Sequence, residues 1–379
     1  MILSHAAGKE SNIKQSPSHG IVLIIGPLPP PIGGQSILIE SILTGSLQNR
    51  FQLLSLNVAH RLMGFTQRLG LSLIFIWRLL LLLSKHPRIR ALHIHTSAGN
   101  AFWEKGVMAI VGKLLGKKSI LHIHGGNFLP WWGSAGHAKR TLIRSLLNIN
   151  NIVIVLSSKS KDFYLNEVRC SAPVRVLENA VRVPQVEIAH RSGSTLTFLY
   201  VGHLKPEKGL LDLAAAIDRL DSSIRSRICM KLMGDGENTE TAALIQQAFL
   251  NKWEDCEIHF LGPLSGADKW SAFSSSDVFV LPSHSEDMPL SIIEAMSLGK
   301  PVLATHVGAI PSLIVNGSGG YLFSPRDVRA LSDIIQHLVE HPQSLAAMGN
   351  NNRERAKQMF SFESYESRLE KIYLEALIH

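Results

Sequence analysis

The chain has 379 residues, of which 45% are hydrophobic and 18% charged, and its formal net charge is +8 at pH 7. This composition supplies enough apolar residues for cores and excludes a wholly disordered chain. The 29 Gly, 17 Pro and 3 Cys exclude collagen-like, mucin-like and disulfide-scaffold proteins. The three cysteines are scattered and form no CxxC pair, which favours a reducing compartment and argues against a structural zinc site.

The positive charge is concentrated in the first half of the chain. Residues 1–190 contain 21 Lys and Arg against 7 Asp and Glu, whereas the remainder contains 17 basic and 23 acidic residues. This asymmetry predicts an anionic partner for the first half, which could be nucleic acid, anionic lipid or a phosphate-bearing substrate. We expect no nucleic acid, because no nucleic-acid-binding motif is present. An ordinary solvated basic face is the alternative explanation.

One apolar run stands out within this basic half. It covers the 15 residues 69–83, includes Arg78, and is shorter than the ~18 apolar residues that a membrane span requires. We therefore expect a helix that is buried or lies on a membrane surface rather than one that crosses. The combination of basic charge and apolar runs favours an anionic membrane surface.

Short apolar strands alternate with helical segments along most of the chain. A polar tail at residues 1–20, in which we find no secretory signal, precedes them. In the first half, strands are predicted at 21–25, 91–95, 119–124 and 151–156, with helices from about 35 and near 105–115. After a polar break at 184–194, strands are predicted at 195–201, 228–233, 257–261, 278–281 and 301–304, with helices between them.

This alternation, with strands apolar on both faces, predicts parallel sheets covered by helices. We expect an α/β protein with two doubly wound, Rossmann-like domains that face each other across a cleft. The predicted division is a tail at 1–20, a first domain at 21–190 and a second domain at 191–358. An amphipathic helix within 359–379 follows, which we expect to pack back toward the first domain.

Several motifs of common nucleotide and ester chemistry are absent from the sequence. We find no GxxxxGK[ST] loop, no GxGxxG after a predicted strand, no GxSxG elbow and no DxD pair. Their absence argues against a P-loop kinase or ATPase, a Rossmann dehydrogenase and an α/β-hydrolase.

Two groups of residues in the first domain are site candidates. Gly33 and Gly34 follow the first strand and precede a helix, where backbone N–H groups can approach a phosphate; a plain tight turn is the alternative. His124 ends the strand that also carries His122, directly before two glycines, and the carboxyl end of a strand is where ligands bind in such sheets.

The histidines of two neighbouring predicted strands are also candidates for metal binding. His122 and His124 share one face of their strand, and His93 and His95 repeat this pattern on a neighbouring predicted strand. No acidic ligand accompanies them, so we expect no metal site, and we interpret His93 and His95 as core residues.

The second domain contains two further candidates. Lys208 lies in the loop GHLKPEKG after the first strand of this domain, just before a helix, which suits a phosphate; a solvated loop lysine is the alternative. Glu286 and Glu294 flank the start of a later helix, eight residues apart, so both are expected in the same cleft. Carboxylates there can accept hydrogen bonds from sugar or ribose hydroxyls.

These segments resemble the retaining glycosyltransferases of family 4, which have the GT-B architecture. The resemblance rests on Glu286 and Glu294 at the family's spacing, followed by AMSLGKPV, and on GDGE (234–237), HFLG (259–262) and GAIPSLIVNGSGGYL (308–322). It covers nearly the whole second domain, whereas in the first domain it rests on the glycine pair and the HxHG strand end.

The resemblance implies a role for each candidate. Glu294 would hold the ribose of a nucleotide, Glu286 would contact the donor sugar, Lys208 would bind the diphosphate, and His124 would lie beside the donor sugar near the acceptor. The implied catalytic residues are thus His124, Lys208 and Glu286. The implied donor-binding residues are Gly33, Gly34, Gly202, His203, Lys208, Gly234, Met288, Pro289, Leu290 and Glu294.

One position departs from the family pattern. Where the family has G-R-x-x-x-x-K-G, this chain has His203 in place of the arginine. A neutral imidazole offers one N–H donor where arginine offers five. Either His203 is protonated beside the diphosphate, or Lys205 substitutes for the arginine, or stabilisation of the leaving group is weaker.

The resemblance implies transfer of a sugar from a UDP- or GDP-sugar to a saccharide acceptor, with retention of anomeric configuration and without a metal or other cofactor. The basic, apolar first domain favours a lipid-linked acceptor at the cytoplasmic face of the cell membrane, in assembly of a bacterial-type surface polysaccharide such as lipopolysaccharide. Two alternatives are a nucleotide-sugar 2-epimerase and a degenerate transferase that acts as a scaffold.

Overall fold

The computed structural model describes residues 19–30, 33–58, 65–186, 193–236, 239–250 and 252–378. Most of the predicted tail and the centre of the predicted break at 184–194 lie outside these ranges. The described residues form two six-stranded sheets. The first contains β1 (Ile21–Gly26), β2 (Gln52–Asn57), β3 (Ile89–Thr96), β4 (Lys118–Ile123), β5 (Ile152–Val155) and β6 (Val174–Val176). The second contains β7 (Leu196–Val201), β8 (Ile228–Met233), β9 (Glu257–Gly262), β10 (Val278–Leu281), β11 (Val302–Thr305) and β12 (Gly320–Phe323).

Fifteen α-helices connect and cover the strands in the described part of the chain. Those of the first half are α1 (Gly34–Leu43), α2 (Phe65–Lys85), α3 (Asn100–Leu114), α4 (Phe128–Gly133), α5 (His137–Asn148) and α6 (Ser158–Asp162), and α6 continues as a π-turn at Phe163–Glu167. Those of the second half are α7 (Leu210–Asp218), α8 (Ser222–Arg225), α9 (Thr239–Phe249), α10 (Gly266–Ser274), α11 (Leu290–Ser297), α12 (Ile310–Leu313), α13 (Val328–Glu340), α14 (Leu345–Met359) and α15 (Phe362–Ile378).

Both sheets are parallel throughout, and each has a point where the strand order reverses. The first sheet runs β2-β1-β3-β4-β5-β6. β2 therefore lies on one side of β1 and β3 to β6 lie on the other, so the strand order reverses between β1 and β3. The second runs β12-β11-β10-β7-β8-β9, with its reversal between β7 and β10. In open parallel sheets, ligands bind in the crevice outside the carboxyl ends of the strands at such a point.

The expected α/β class is confirmed, and every strand predicted from the sequence is present. Three strands were not predicted: β2, β6 and β12. Only Leu56 of β2 is buried, because this strand lies at the edge of its sheet, and its sequence therefore lacks the continuous apolar run of a central strand. β6 and β12 are likewise short edge strands, of three and four residues, and they are only partly buried, so they also lack the continuous apolar run of a central strand.

The apolar run at residues 69–83 lies within α2, as a helix. Phe75, Leu79 and Leu83 are buried in the core beneath it, whereas Leu73 and Trp77 are 62% and 60% exposed. Among the helices that the structure describes, none is long and apolar enough to cross a membrane.

The last helix, α15, packs on the sheet of the first domain. Its Tyr365, Leu369 and Tyr373 are fully buried in a core that includes Val22 and Phe51. Polar contacts fix its orientation: the Glu366 carboxylate accepts hydrogen bonds from Ser46 Oγ (2.8 Å) and the Leu47 amide (3.1 Å). The C-terminus of the chain thus completes the core of the N-terminal domain.

We expect Leu369→Ala to destabilise the first domain by about 2–5 kcal/mol, because it leaves a cavity between α15 and the sheet. Urea unfolding followed by tryptophan fluorescence should show a lower midpoint. The matched control is Lys371→Ala on the exposed face of the same helix, which should shift the midpoint little. Equal midpoints for both variants would contradict the packing described for α15.

Candidate functional site

Lys208 and Glu286 meet at the reversal point of the second sheet. Lys208 ends a 3₁₀ turn (Pro206–Lys208) in the loop after β7, and Glu286 lies in the loop after β10. The Lys208 Nζ atom is 2.5 Å from Glu286 Oε1, which also accepts a hydrogen bond from Ser283 Oγ at 3.0 Å. The two residues that the sequence placed in separate motifs therefore form one half-buried ion pair.

Close backbone packing holds these two loops together. Gly209 has φ +71°, and a Cβ there would lie 1.9 Å from the carbonyl oxygen of Pro282, so only glycine fits. The His284 amide donates to the Glu207 carbonyl at 2.8 Å. The ring of His284 also contacts Asp212 of α7, with Nε2 and Oδ2 2.6 Å apart. This packing fixes the Lys208–Glu286 pair from both sides.

Glu294 forms a second ion pair deeper in the domain. It lies in α11, is 4% exposed, and accepts a hydrogen bond from Lys269 Nζ of α10 at 2.5 Å. Burial raises the pKa of the Glu294 carboxyl, an effect that the charge of Lys269 opposes. Lys269 was not predicted, since it lies 25 residues before Glu294 on a different helix and no sequence pattern links them.

Gly202, His203 and Gly234 lie at the carboxyl ends of β7 and β8. Gly234 has φ +144°, and a Cβ there would lie 1.8 Å from the Gly202 carbonyl oxygen, so these two loops cross at backbone distance. The imidazole of His203 is half exposed and lies 3.3 Å from Asp235 Oδ1. His203 thus lies beside a carboxylate on the surface that continues from Lys208.

The first domain faces this surface through Gly34 and His124. A Cβ at Gly34 would lie 3.3 Å from Leu290 Cδ1 at the start of α11, so the two domains are in contact here. A cavity of about 160 Å³ opens between them. Its lining includes Gly34, His124, Glu286, Met288, Pro289 and Leu290. The structure therefore brings together six of the predicted site residues from both domains.

Gly33 lies next to this cavity as the N-cap of α1. Its amide donates to Ser36 Oγ at 2.9 Å, and the Ser36 hydroxyl donates back to the Gly33 carbonyl at 3.0 Å. A Cβ at Gly33 would have open space around it, with the Ser36 Oγ 4.0 Å away.

Direct contacts join the loop after β10 to the first domain. Asn179 Nδ2 donates to the Met288 carbonyl at 2.7 Å, and Ser160 Oγ donates to Asp287 Oδ1 at 3.3 Å. The backbones approach most closely at Gly126, where a Cβ would lie 2.4 Å from the Glu286 carbonyl oxygen. We call this contact between Gly126 and residues 286–287 the interdomain seam.

His124 ends a ladder of four buried histidines on β3 and β4. His95 Nδ1 lies 2.9 Å from His124 Nε2, His93 Nε2 lies 3.2 Å from His122 Nδ1, and His93 Nδ1 lies 2.8 Å from the Tyr373 hydroxyl of α15. Burial lowers the pKa of His124 to about 3, so its ring is neutral at pH 7. His124 can exchange hydrogen bonds with a ligand but carries no charge.

Among the described residues, two groups of side chains have ligand atoms close enough for a metal ion. One comprises His93, His95 and His122 within the ladder, and the other Cys229, Glu257 and His259 near the edge of the second sheet. Hydrogen bonds within the ladder already engage a ring nitrogen of each histidine of the first group. The expectation of a metal-independent site remains a prediction.

Residues 186–355 match the family model described as glycosyl transferases group 1. A glycogen synthase from Mycobacterium tuberculosis is 28% identical over 207 residues, which is 54% of this chain and 49% of that protein. The chain thus spans about half the length of that relative.

Solved structures extend the likeness to both domains. Sucrose-phosphate synthase from Thermosynechococcus elongatus has a TM-score of 0.77 at 17% identity, over 94% of this chain and 98% of that one. Anabaena Alr3699/HepE in complex with UDP-glucose has a TM-score of 0.72 at 17% identity, over 93% and 99%.

The fold is GT-B. Within GT-B architecture, Gly34 and His124 of the first domain and Lys208 and Glu286 of the second lie where the two Rossmann-like domains face each other. The segment that matches the group 1 glycosyl transferases contains Lys208, Glu286 and Glu294, whereas Gly34 and His124 come from the other domain.

We expect Gly126→Ala to loosen the interdomain seam of this GT-B protein, because its Cβ would collide with the Glu286 carbonyl. Hydrogen–deuterium exchange should rise in residues 284–290 and 125–129, while the rest of each domain stays protected. Gly136→Ala is the control, since a Cβ there meets nothing within 4 Å. Unchanged exchange at the seam in Gly126→Ala would contradict the close approach.

Proposed function

We propose that this protein is a retaining glycosyltransferase that transfers a sugar from a nucleotide-sugar donor, a UDP- or GDP-sugar, to a hydroxyl of a lipid-linked saccharide. The observation that carries the proposal is the Lys208–Glu286 pair at the reversal point of the second sheet. The group 1 match over this domain and the UDP-glucose bound to the similar Anabaena protein support a nucleotide-sugar donor.

The pair supplies a cation for the diphosphate of the donor and a carboxylate for the hydroxyls of its sugar. Glycosyl transfer places negative charge on the departing diphosphate, and a fixed cation lowers that barrier. In our proposal Lys208 turns from Glu286 to the diphosphate, and the freed carboxylate accepts hydrogen bonds from hydroxyls of the donor sugar. Either His203 or Lys205 would take the place of the family's arginine beside the diphosphate, or stabilisation of the leaving group is weaker, and no metal ion is needed.

Glu294 would bind the nucleoside in the same manner. Its carboxylate is held by Lys269 and is buried, so it can accept the two ribose hydroxyls in a geometry that is already fixed. The backbone at Met288 and Leu290, with that of Gly33 and Gly34, would face the diphosphate from the two domains. Neutral His124 would hydrogen-bond to the donor sugar at the acceptor side.

The first test is a thermal-shift panel of UDP, GDP, ADP and CMP, each with Mg²⁺ and with EDTA. A nucleotide at about 100 times its dissociation constant should stabilise the folded protein by about 2.7 kcal/mol. We expect UDP or GDP to raise the melting temperature equally in both buffers, and Glu294→Gln to lose that shift. Asp333→Asn on the exposed face of α13 is the control.

Catalysis is tested separately with Glu286→Ala. We expect this variant to lose sugar transfer while it keeps its fold and its place in any complex. Full biological function of Glu286→Ala would indicate a scaffold instead. Release of a free epimerised nucleotide sugar by the parent protein would indicate an epimerase.

The surface of α2 and α3 supports a membrane-bound acceptor. Leu73 and Trp77 of α2 are exposed, and so is Leu114 of α3. The two helices touch, since Ser72 Oγ donates to Glu104 Oε2 at 2.9 Å. Exposed basic residues accompany the apolar side chains on and beside these helices, namely Arg78, Lys85, Arg88 and Lys113. Exposed apolar and basic side chains on the same helices suit the interface of an anionic bilayer. This surface supports our proposal that the protein acts at the inner face of the cell membrane, in assembly of a surface polysaccharide such as lipopolysaccharide.

We expect the protein to float with vesicles of phosphatidylglycerol and phosphatidylethanolamine, and less with phosphatidylcholine alone. Trp77→Glu should reduce the bound fraction severalfold, since it places a negative charge against the lipid surface. Leu244→Glu, at a comparably exposed apolar position of the second domain, is the matched control. Equal flotation on both lipid compositions would contradict the electrostatic part of the proposal.

A further inference from the structure

A second, larger cavity of about 510 Å³ lies between the two domains on the other side of the interdomain seam. Aromatic residues Phe128 and Tyr164 line it from the first domain, and Glu286 and Asp287 line it from the second. Gly125, Glu286 and Asp287 also line the smaller cavity beside His124. The two cavities therefore share one wall, and Asp287 faces both.

The backbone of Asp287 is rigidly held. Its carbonyl oxygen accepts a hydrogen bond from the Ala309 amide at 2.7 Å. Gly308 has φ +55°, and a Cβ there would lie 2.1 Å from the Glu286 carbonyl oxygen and 2.8 Å from that of Asp287. These contacts fix the backbone that carries the carboxylate and involve neither of its side-chain oxygens.

Within the described part of the chain, few polar groups contact the Asp287 carboxylate. Ser160 Oγ donates one hydrogen bond to it at 3.3 Å, across the domain boundary. The Tyr164 hydroxyl is buried nearby and has no hydrogen-bond partner among the described residues. A carboxylate with a single weak hydrogen bond, beside a buried hydroxyl without a partner, is an incomplete polar cluster. A ligand hydroxyl would complete it.

The charge of Asp287 is costly where it stands. Burial raises its pKa to about 6, and the neighbouring charge of Glu286 acts in the same direction. A carboxyl whose pKa is raised on folding stabilises the fold at low pH, and this contribution is lost between about pH 4 and 6. At pH 7.5 the charge of Asp287 therefore destabilises the protein. A role of Asp287 in binding would explain why a destabilising charge is present at this position.

We propose that Asp287 binds the acceptor of the transfer reaction, an inference that rests on the function proposed above. The carboxylate of Asp287 accepts a hydrogen bond from a hydroxyl of a hexopyranoside, and the sugar packs against Phe128 and Tyr164. A carboxylate and two aromatic rings are the side chains that suit the hydroxyls and the apolar face of a sugar. Asp287 would then be a specificity-determining residue of the acceptor, distinct from the residues proposed for the donor.

The test measures steady-state sugar transfer. The donor is a sugar nucleotide with the base that stabilises the protein in the thermal-shift panel. The acceptors are octyl glycosides of glucose, galactose, mannose and N-acetylglucosamine. Loss of a hydrogen bond to a charged group should raise the acceptor KM of Asp287→Asn by about 10- to 100-fold. The nucleotide affinity should stay unchanged, and Ser160→Ala should show a smaller rise. Asp333→Asn is the matched control.

The pH profile separates binding from a structural role. In the parent protein kcat/KM for the acceptor should fall below about pH 6, and Asp287→Asn should lack this fall. Other titratable groups around the two cavities are Lys159, Asp162, Tyr164, Glu167, His284 and Glu286, with His124 beyond the seam. An acid limb that persists in Asp287→Asn would assign it to one of these groups and overturn the proposal.

Stability gives an independent readout. At pH 7.5 Asp287→Asn should melt at the same temperature as the parent or higher, because it removes a destabilising charge. An unchanged acceptor KM in Asp287→Asn, or the absence of transfer to every glycoside in the panel, would overturn this inference alone. Failure of every nucleotide to bind would instead overturn the proposed function.

Discussion

The need to bury both faces of two parallel sheets determines where this protein can carry chemistry. Strands such as β1, β5 and β10 are buried along their whole length, so their side chains serve the cores. Lys208, His203 and Glu286 lie instead in loops that follow the carboxyl ends of strands. Because each sheet reverses its order once, these loops separate at one point and leave a crevice. Lys208 and Glu286 occupy that crevice in the second sheet.

The loop after β10 depends on backbone contacts that side chains would prevent. Gly126, Gly209 and Gly308 each lie where a Cβ would come within 2.4 Å of a carbonyl oxygen. The contact at Gly126 brings this loop against the first domain, whereas those at Gly209 and Gly308 hold it within the second domain. Both cavities adjoin this loop, so a small displacement of it would change the shape of both. α15 reinforces the arrangement, since the last residues of the chain complete the core of the first domain.

The central strands and the site loops could be predicted from sequence because each depends on local pattern. Continuous apolar runs identified β1 and β10, and Lys208 and Glu286 were found by their positions after strands. The partner of Glu294 could not be predicted, since Lys269 comes near it only when α10 and α11 pack together. The histidine ladder likewise depends on register: the sequence showed two HxH segments, but only the pairing of β3 with β4 sets His95 opposite His122.

In the proposed function, the Lys208–Glu286 pair consists of partners that a ligand can replace. A buried ion pair contributes little net stability, because the cost of desolvating both charges offsets their attraction. Removing one member alone is destabilising, since it leaves an unpaired charge. Lys208 keeps Glu286 neutralised while the crevice is empty, and a diphosphate would offer Lys208 an equivalent partner. The carboxylate that it leaves would face hydroxyls rather than apolar side chains. The charges of Lys208 and Glu286 would then have partners both with and without ligand. Ligand binding would therefore not leave one charge buried without a partner, which would cost binding free energy.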